Sequence, residues 1–351
     1  MNLACNGVGI VVTVKEVAKH AGVSLGTVSR VLNGAENVSA QMRERVQNSI
    51  RELGYFPNNA ARSLVRRRSG TIAILLRNLH SSFFNELIRG FETGMQDSGH
   101  NVIFCSMGNE QAMRDQYIQY LTNGVSDAII LYGPLYSDRP IIEHLQSVNF
   151  PFMLIENNFR STSNVNQILI RNLEGAFDAV EYLYSKGHRR IVHFMGDPNK
   201  QVNLDRFNGY TQAMQSHGLF IGDDFVYNIY SDNDRARTSA AQIARMPREQ
   251  RPTAVFCSND KIAAHAIMSF IESGLRVPED ISVVGFDAQP LPVEGYNGPK
   301  ITSVFQPLFD IGLDSFRTVV QILNGEIDAP VTHIYDTRLI ENDTVAAPWD
   351  C

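Results

Sequence analysis

The chain has 351 residues, of which 44% are hydrophobic and 19% are charged, and its formal net charge is −6. A chain of this length exceeds what one hydrophobic core usually supports, so we expect two or three compact units. No apolar run approaches the roughly 20 residues that a membrane-spanning helix needs, and the four cysteines share no short spacing. The sequence therefore excludes a transmembrane protein and predicts a cytoplasmic protein without a metal site or a redox pair.

The charge is distributed unevenly along the chain. Up to Ser69 there are ten basic and four acidic side chains, a net charge of +6, which leaves −12 for the remainder. A basic head on an acidic body is typical of a protein that contacts nucleic acid through one end only.

Residues 1–12 form an extension whose origin is open. Leu3-Ala4-Cys5 has the form of a lipoprotein cleavage site, but no basic run or apolar stretch precedes it, so we expect no signal peptide. Val11 or Val12 is a candidate for the true translation start, which the intact mass of natively expressed protein would test.

Residues 13–57 have the pattern of a three-helix module. Val14, Val17 and Ala18 give the first helix an apolar face. Gly22 allows the positive φ of a tight turn, and Ser24 is a suitable N-cap for the second helix. A third helix is predicted from Ala40 to Leu53, ending at Gly54, with four side chains buried: Met42, Val46, Ile50 and Leu53. Such a module is an all-α helix-turn-helix head.

In a helix-turn-helix the second helix enters the major groove of DNA. Leu25, Gly26 and Arg30 would then face the bases, and the hydroxyls of Thr27 and Ser29 would meet phosphates. Arg30 is the candidate for a base contact, because a guanidinium can bond guanine in a fork. The alternative is that Arg30 contacts only phosphate.

Residues 58–69 are predicted to form a hinge helix, which is too short to be stable alone in water and would fold on DNA. Leu64 could wedge between base pairs in the minor groove. The alternative is an ordinary basic linker.

From Thr71 onward, short apolar runs alternate with amphipathic stretches, as in βαβ units with parallel sheets. This alternation predicts two doubly wound lobes. The first has strands at Thr71–Leu76, Asn101–Ser106, 127–132 and Phe152–Ile155, and the second at 190–195, 225–230, 254–258 and 281–286. A ligand would bind at the carboxyl ends of the strands.

Several segments resemble the lactose/galactose repressor family of bacterial transcriptional regulators: 13–18, 22–24, 27–33, 57–64, 187–191, 206–210, 258–260, 277–281 and 284–287. The resemblance covers residues 13–348. It implies an α/β periplasmic-binding-protein-like body, with a first lobe of 70–168 plus 300–329 and a second of 169–299 plus 330–348. The chain would cross between lobes near residues 168, 300 and 330.

The resemblance also implies a homodimer whose two hinge helices pair in the minor groove of a pseudo-palindromic operator, which favours the wedge role for Leu64. The residues that it assigns to DNA binding are Ser24, Leu25, Gly26, Thr27, Ser29, Arg30, Asn33, Asn59, Arg62 and Leu64. Those that it assigns to the effector are Phe83, Phe84, Arg206, Asn259 and Asp287, with Tyr230 and Gln306 as weaker candidates.

An aromatic face packs on the C–H side of a sugar, a guanidinium donates a fork of hydrogen bonds, and a carboxylate accepts from two vicinal hydroxyls. Structural pairing at strand ends is the alternative for Arg206, Asn259 and Asp287, and plain packing is the alternative for Phe83. Lys200, in the loop before Arg206, leaves a phosphorylated ligand open.

We therefore expect a transcriptional regulator, a repressor whose operator affinity is controlled by a small molecule, most simply a sugar. One alternative is an effector-activated regulator that binds a purine or a phosphorylated metabolite. A solute-binding protein does not fit the basic head, and an enzyme does not fit the lack of a phosphate-binding glycine loop, a metal-ligand cluster or a nucleophile elbow.

Overall fold

A computed structural model describes residues 12–32, 35, 37–55, 68–108, 111–156, 164–219, 222–230, 232–290 and 293–349. Contacts divide the chain into two compact units, Met1–Ser69 and Gly70–Cys351. Residues 1–11 of the extension and residues 58–67 of the predicted hinge helix lie outside the described residues. No helix in the described ranges is both long enough and apolar enough to cross a membrane.

The first unit contains the three predicted helices, α1 (Val14–Ala21), α2 (Leu25–Leu32) and α3 (Ala40–Leu53). The turn after α1 depends on Gly22, whose φ is 63°. Arg45 ties α3 to the end of α1, because its guanidinium donates to the carbonyl oxygen of Ala21 at 2.6 Å. Val17, Val28 and Val46 are fully buried between the helices. A short helical module with one shared core is therefore present, as predicted.

The prediction that Met42 of α3 is buried is wrong. The side chain of Met42 is 45% exposed, whereas Val38, which precedes the helix, is buried in the core formed by α1, α2 and α3. Helical spacing alone placed Met42 on the inner face, but the core at this end of α3 is completed by the residue before the helix.

The second unit contains two six-stranded sheets. The first sheet has the strand order β11-β5-β4-β3-β1-β2, and all its strands are parallel. Its strands are β1 (Thr71–Leu76), β2 (Asn101–Ser106), β3 (Ala128–Tyr132), β4 (Phe152–Ile155), β5 (Asn166–Ile170) and β11 (Thr332–Tyr335). Its helices are α4 (Asn85–Ser98), α5 (Gln111–Tyr120), α6 (Arg139–Ser147) and α11 (Leu308–Asn324).

The second sheet has the order β12-β10-β9-β8-β6-β7, with only β12 antiparallel. Its strands are β6 (Ile191–Met195), β7 (Val226–Asn228), β8 (Ala254–Cys257), β9 (Ser282–Asp287), β10 (Thr302–Phe305) and β12 (Arg338–Ile340). Its helices are α7 (Asn172–Ser185), α8 (Gln201–Ser216), α9 (Asn233–Ala244) and α10 (Asp260–Glu272). The predicted pair of doubly wound lobes is confirmed.

The chain passes between the sheets three times, but a few residues later than expected. Residues 166–170 and 332–335 form strands of the first sheet, and residues 302–305 form a strand of the second sheet. The crossings therefore lie near residues 171, 306 and 336 rather than near 168, 300 and 330. Each crossing follows a strand, β5, β10 or β11, that is paired in the sheet of the lobe that the chain leaves. Pairing in that sheet satisfies the backbone hydrogen bonds of the strand.

The first lobe depends on an unusually close contact between α4 and α11. A Cβ atom on Gly90 would lie 2.2 Å from the carbonyl oxygen of Phe309, and a Cβ on Gly312 would lie 2.2 Å from that of Leu87. The apolar stripe predicted on α4 packs into the same core, where Leu87 and Phe91 are fully buried. The two glycines thus let the backbones touch where any larger residue would separate the helices.

Gly90→Ala should lower the free energy of unfolding by about 1–3 kcal/mol, because overpacking of a close contact forces the backbone to shift. Urea titration followed by circular dichroism measures this change. Gln96→Ala, at an exposed position of the same helix, is the control and should change stability by less than about 0.5 kcal/mol. Equal stability of the two variants would show that α4 and α11 can separate without cost.

Candidate functional site

The first candidate site is the exposed face of α2. Ser24, Leu25, Gly26, Ser29 and Arg30 are exposed, and Thr27 is half-buried. Leu25 is 45% exposed, although a leucine usually packs into a core. The surface is therefore available to a partner. Asn33, Asn59, Arg62 and Leu64 lie outside the described residues, so their assignment stays a prediction.

Local hydrogen bonds hold the polar groups of this face in place. The Ser24 hydroxyl accepts from the backbone N–H of Thr27 at 3.1 Å and lies 3.0 Å from the Thr27 hydroxyl. The guanidinium of Arg30 donates through Nε to the carbonyl oxygen of Gly26 at 3.1 Å. This bond uses only Nε, so the two terminal nitrogens of Arg30 can still form a fork with a base or a phosphate.

The second candidate site is a cleft between the two lobes. Its cavity volume is about 100 Å³, and it is partly open to solvent. One wall comes from the segment that leads into α4, and the other from the carboxyl-end loops of the second sheet. The lining residues are Ser81, Ser82, Phe83, Asp260, Lys261, Asp287, Gln289, Pro290 and Val293. The cleft thus lies where parallel sheets usually bind ligands.

Behind the lining residue Asp287 lies the floor of the cleft, a buried polar network formed by Arg206, Asp287, Gln306, Asn172, Glu156 and Tyr132. Arg206 makes the most contacts in this network and is only 4% exposed. It donates through Nε to the side-chain oxygen of Asn172 at 2.9 Å and through Nη1 to the carbonyl oxygen of Ser258 at 2.5 Å. Nη1 also pairs with Oδ1 of Asp287 at 3.1 Å. The ring of Phe286 lies 3.7 Å from the guanidinium carbon. Arg206 is therefore fixed in one orientation before any ligand arrives.

Asp287 ends β9 and presents its carboxyl to the cleft. Its Oδ1 accepts from Nε2 of Gln306 at 2.7 Å as well as from Arg206. Gln306 is fully buried, and its Oε1 has no hydrogen-bond partner among the described residues. Because the amide nitrogen must face the carboxylate, the oxygen remains an acceptor without a donor. A buried acceptor without a donor lowers stability.

Burial raises the pKa of the Asp287 carboxyl to about 6, the charge of Arg206 opposes this rise, and the charge of Glu156 adds to it. Burial likewise raises the pKa of Asp260 well above its usual range, and the neighbouring Asp287 contributes. The Asp260 carboxyl is held by the hydroxyl of Ser303 at 2.6 Å and by the backbone N–H of Ala288 at 2.7 Å. Two carboxyls at this floor are therefore poorly stabilised in their ionised form.

The structure brings together only part of the set that the sequence assigned to the effector. Phe83, Arg206, Asp287 and Gln306 lie at the cleft or in its floor, and Phe83 packs edge-on against Phe84. Phe84 itself is 7% exposed and belongs to the core of the first lobe. Packing is therefore a sufficient account of Phe84, and its effector contact stays a prediction.

Two further residues of that set, Asn259 and Tyr230, make contacts within the protein that do not involve the cleft. Asn259 caps α10, because its Oδ1 accepts from the backbone N–H of Ile262 at 2.9 Å. Tyr230 is 45% exposed and lies against the guanidinium of Arg235, 5.1 Å from the ring centre. Neither is among the residues that line the cleft, so their contact with an effector also stays a prediction.

Three residues of the floor were not among the predicted site residues. Glu156 follows β4 and accepts from the hydroxyl of Tyr132 at 3.1 Å and from the amide of Asn172 at 3.0 Å. Asn172 in turn accepts from Arg206 at 2.9 Å. Glu156 and Tyr132 stand at the carboxyl ends of buried strands, and a polar group at that position is the signal that could have found them.

Asp287→Asn tests the electrostatics of the floor. The pKa of Asp287 in the folded protein is about 6 and exceeds the ordinary value of 3.8, so the native state binds more protons than the unfolded state between these values. The protonated Asp287 carboxyl therefore stabilises the folded state fully below pH 3.8, and this stabilisation is lost as the pH rises through about 6. The unfolding free energy of the wild type should therefore fall relative to Asp287→Asn by about 3 kcal/mol between about pH 4 and pH 7.

Urea titrations across this pH range measure the difference. Asp328→Asn, at an exposed position, is the control and should give a curve that runs parallel to that of the wild type. A parallel curve for Asp287→Asn as well would mean that Asp287 titrates as an exposed carboxyl.

Comparisons with known proteins agree with both parts of the fold. Residues 13–58 match the model of bacterial regulatory proteins of the lacI family, and residues 180–345 match a periplasmic binding protein-like domain. The chain is 31% identical over 328 residues to the HTH-type transcriptional repressor CytR of Escherichia coli (strain K12), covering 93% of this chain and 94% of that repressor.

Solved structures give the same result. The lac repressor dimer bound to operator and the anti-inducer ONPF matches with a TM-score of 0.83 and 25% identity, covering 96% of this chain and 99% of that one. The complex of the transcriptional regulator CelR with cellobiose matches with a TM-score of 0.71 and 28% identity, covering 95% and 99%. The chain belongs to the lacI family of DNA-binding transcriptional regulators.

Proposed function

We propose that this protein acts as a homodimeric repressor that binds a pseudo-palindromic operator through α2 and responds to a small polar effector in the cleft between its lobes. Because operator DNA lies in the bacterial cytoplasm, the protein acts there. The observation that supports this proposal best is the floor of the cleft, where Arg206 and Asp287 are pre-oriented beside an aromatic wall at Phe83.

A sugar or a nucleoside has the chemistry that this cleft accommodates. The second oxygen of Asp287 makes no hydrogen bond to a described residue and can accept from a hydroxyl, and Phe83 offers a ring face. The relatives support the same class, since the CelR structure is a complex with cellobiose. We therefore assign the effector to the polyhydroxylated small molecules.

Effector binding would change the closure of the lobes and thereby the spacing of the two DNA-binding heads in the dimer. A coupling of about 1–3 kcal/mol between the two sites is typical and corresponds to a roughly 5- to 150-fold change in operator affinity. Release of the operator by the effector is the response that we propose.

The central experiment is fluorescence anisotropy of the purified protein with a labelled fragment of the region upstream of its own gene. Binding should be specific, log affinity should fall with log salt at roughly −0.9 per phosphate contacted, and one compound from a panel of sugars and nucleosides should weaken it. Tighter binding with a compound would instead identify an effector-activated regulator. Binding without sequence preference in any condition would contradict the proposal.

Arg30→Ala should weaken binding to the operator by about 1–3 kcal/mol, because a forked contact with guanine is lost. Binding to unrelated DNA should change much less. Arg245→Ala, which removes an exposed arginine of the body, is the charge-matched control and should bind both DNAs like the wild type. An equal loss on both DNAs would assign Arg30 to a phosphate instead of a base.

Arg206→Lys tests the cleft. Lysine keeps the charge but cannot reproduce the planar fork that joins Asn172, Ser258 and Asp287. Operator affinity without effector should be retained, and the effector concentration needed for half-maximal release should rise at least about tenfold, a loss of about 1.4 kcal/mol. The same anisotropy titration measures it, and an unchanged effector response would place the effector elsewhere.

A further inference from the structure

The end of β9 makes a turn that two consecutive non-glycine residues rarely form. Asp287 has a φ of 110° and Ala288 a φ of 47°, both in the region that favours glycine. Such a conformation persists only where surrounding contacts fix it. Asp287 lines the cleft, so the contacts that fix this turn also fix the direction in which the Asp287 carboxyl points.

One set of contacts holds the turn through the backbone N–H of Ala288. This N–H donates to Oδ2 of Asp260 at 2.7 Å and lies 3.2 Å from the hydroxyl oxygen of Ser303. That hydroxyl in turn lies 2.6 Å from Oδ1 of Asp260. The Asp260 carboxyl therefore joins the turn to α10, which begins at Asp260, and to β10, which carries Ser303.

The Asp260 carboxyl has little freedom to move. Asp260 is 4% exposed, and a Cβ atom on Gly285 would overlap its Oδ1. The carboxyl thus fills the space that the missing side chain of Gly285 leaves beside the backbone of β9. A closely packed group of this kind can hold a strained turn in one conformation.

Capping of α10 does not account for a buried carboxyl at this position. Asn259 already caps the helix, since its Oδ1 accepts from the backbone N–H of Ile262 at 2.9 Å. Burial raises the pKa of Asp260 well above its usual range, and a carboxyl that is hard to ionise gains little from the dipole of a helix N-terminus. The bonds to Ala288 and Ser303 are therefore the contacts that account for this side chain.

We propose that Asp260 is a positioning residue for the effector site, which holds the N–H of Ala288 and so directs the carboxyl of Asp287 toward Arg206 and the cleft. The inference rests on the proposed function and adds to it a residue that acts through Asp287. Asp260 itself also lines the cleft, so the experiments below separate positioning from a direct contact with the effector.

The first experiment is isothermal titration calorimetry of the full-length protein with cellobiose, ribose, glucose and the four ribonucleosides. Asp260→Ala should bind any compound that the wild type binds at least about tenfold more weakly, because the hydrogen bond from the ligand to the Asp287 carboxylate is misdirected. Asp260→Asn should stay within about threefold of the wild type, since its amide can accept from Ala288 and donate to Ser303. Asp328→Ala, at an exposed position, is the control and should bind like the wild type.

Ala288→Gly, added to Asp260→Ala, distinguishes positioning from direct contact. Glycine adopts a positive φ without strain, so the turn depends less on the Asp260 carboxyl and affinity should recover by at least about threefold. Glycine at position 288 cannot restore a direct contact between Asp260 and the ligand. Absence of any recovery would therefore refute the positioning role.

The second experiment needs no ligand. Asp260→Asn keeps the turn, so the pKa of Asp287 stays near 6, and the unfolding free energy should fall between about pH 4 and pH 7 relative to Asp260→Asn with Asp287→Asn. Asp260→Ala releases the Asp287 carboxyl toward solvent, so the corresponding fall relative to Asp260→Ala with Asp287→Asn should disappear. Urea titrations measure both pairs. A substitution that merely weakened α10 would destabilise both members of a pair equally and leave the fall in place.

Ser303→Ala keeps the experiments decisive if Asp260→Ala does not fold. It removes the hydroxyl that contacts both Asp260 and Ala288, and it should weaken the ligand and reduce the fall with pH in the same direction. A fall that persists in full, or a ligand affinity that is unchanged, refutes the positioning role but leaves the proposed regulator intact. If no compound binds the wild type, the proposed effector function fails, and the pH dependence alone decides whether Asp260 directs Asp287.

Discussion

A guanidinium that is withdrawn from water costs several kcal/mol unless its charge and its N–H groups find partners inside the protein. Arg206 meets this condition with an amide oxygen, a backbone carbonyl, a carboxylate and an aromatic ring. The partners come from α7, from the loop after β8 and from the end of β9. The second lobe must therefore bring three separate segments to one point, and the parallel arrangement of its strands does this.

The same network reaches the two places where the chain changes lobes. Asn172 begins α7 directly after the first crossing, and Gln306 lies at the second crossing between β10 and α11. Both are bonded to the floor, Asn172 through Arg206 and Gln306 through Asp287. A ligand that alters the floor therefore acts on the connections that set the position of one lobe against the other. This geometry gives an allosteric response a physical route, because the crossing segments are the elements that a lobe movement must bend.

Each lobe is tightly packed, so it can move as a unit about the crossing segments. In the first lobe, Gly90 and Gly312 allow α4 and α11 to pack backbone against backbone. In the second, Gly285 leaves the space that the carboxylate of Asp260 occupies, since a Cβ there would lie 2.0 Å from its oxygen. Close packing of this kind transmits displacement instead of absorbing it. In the response proposed above, a change at the cleft therefore moves whole lobes instead of deforming one helix.

The sequence by itself determined the three helices of the head and the alternation of strands and helices in the body, and its resemblance to a known family singled out Arg206 and Asp287 as site candidates. These follow from local signals, such as the spacing of apolar residues, the glycine after α1, and motifs carried by contiguous residues. Met42 shows the limit of such signals, because its helical spacing was right but the core around it was completed by Val38.

Only the tertiary structure decided the positions of the crossings and the composition of the floor. Strands β5, β10, β11 and β12 are short, and their membership of a sheet depends on a partner strand distant in sequence, as in the pairing of Thr332 with Gln167. Glu156 and Asn172 are 16 residues apart and belong to different lobes, yet they share a hydrogen bond. Their contribution to the site depends on their contacts with each other and with Arg206. Electrostatic interactions in a buried site depend on distance and burial, which no local pattern of residues specifies.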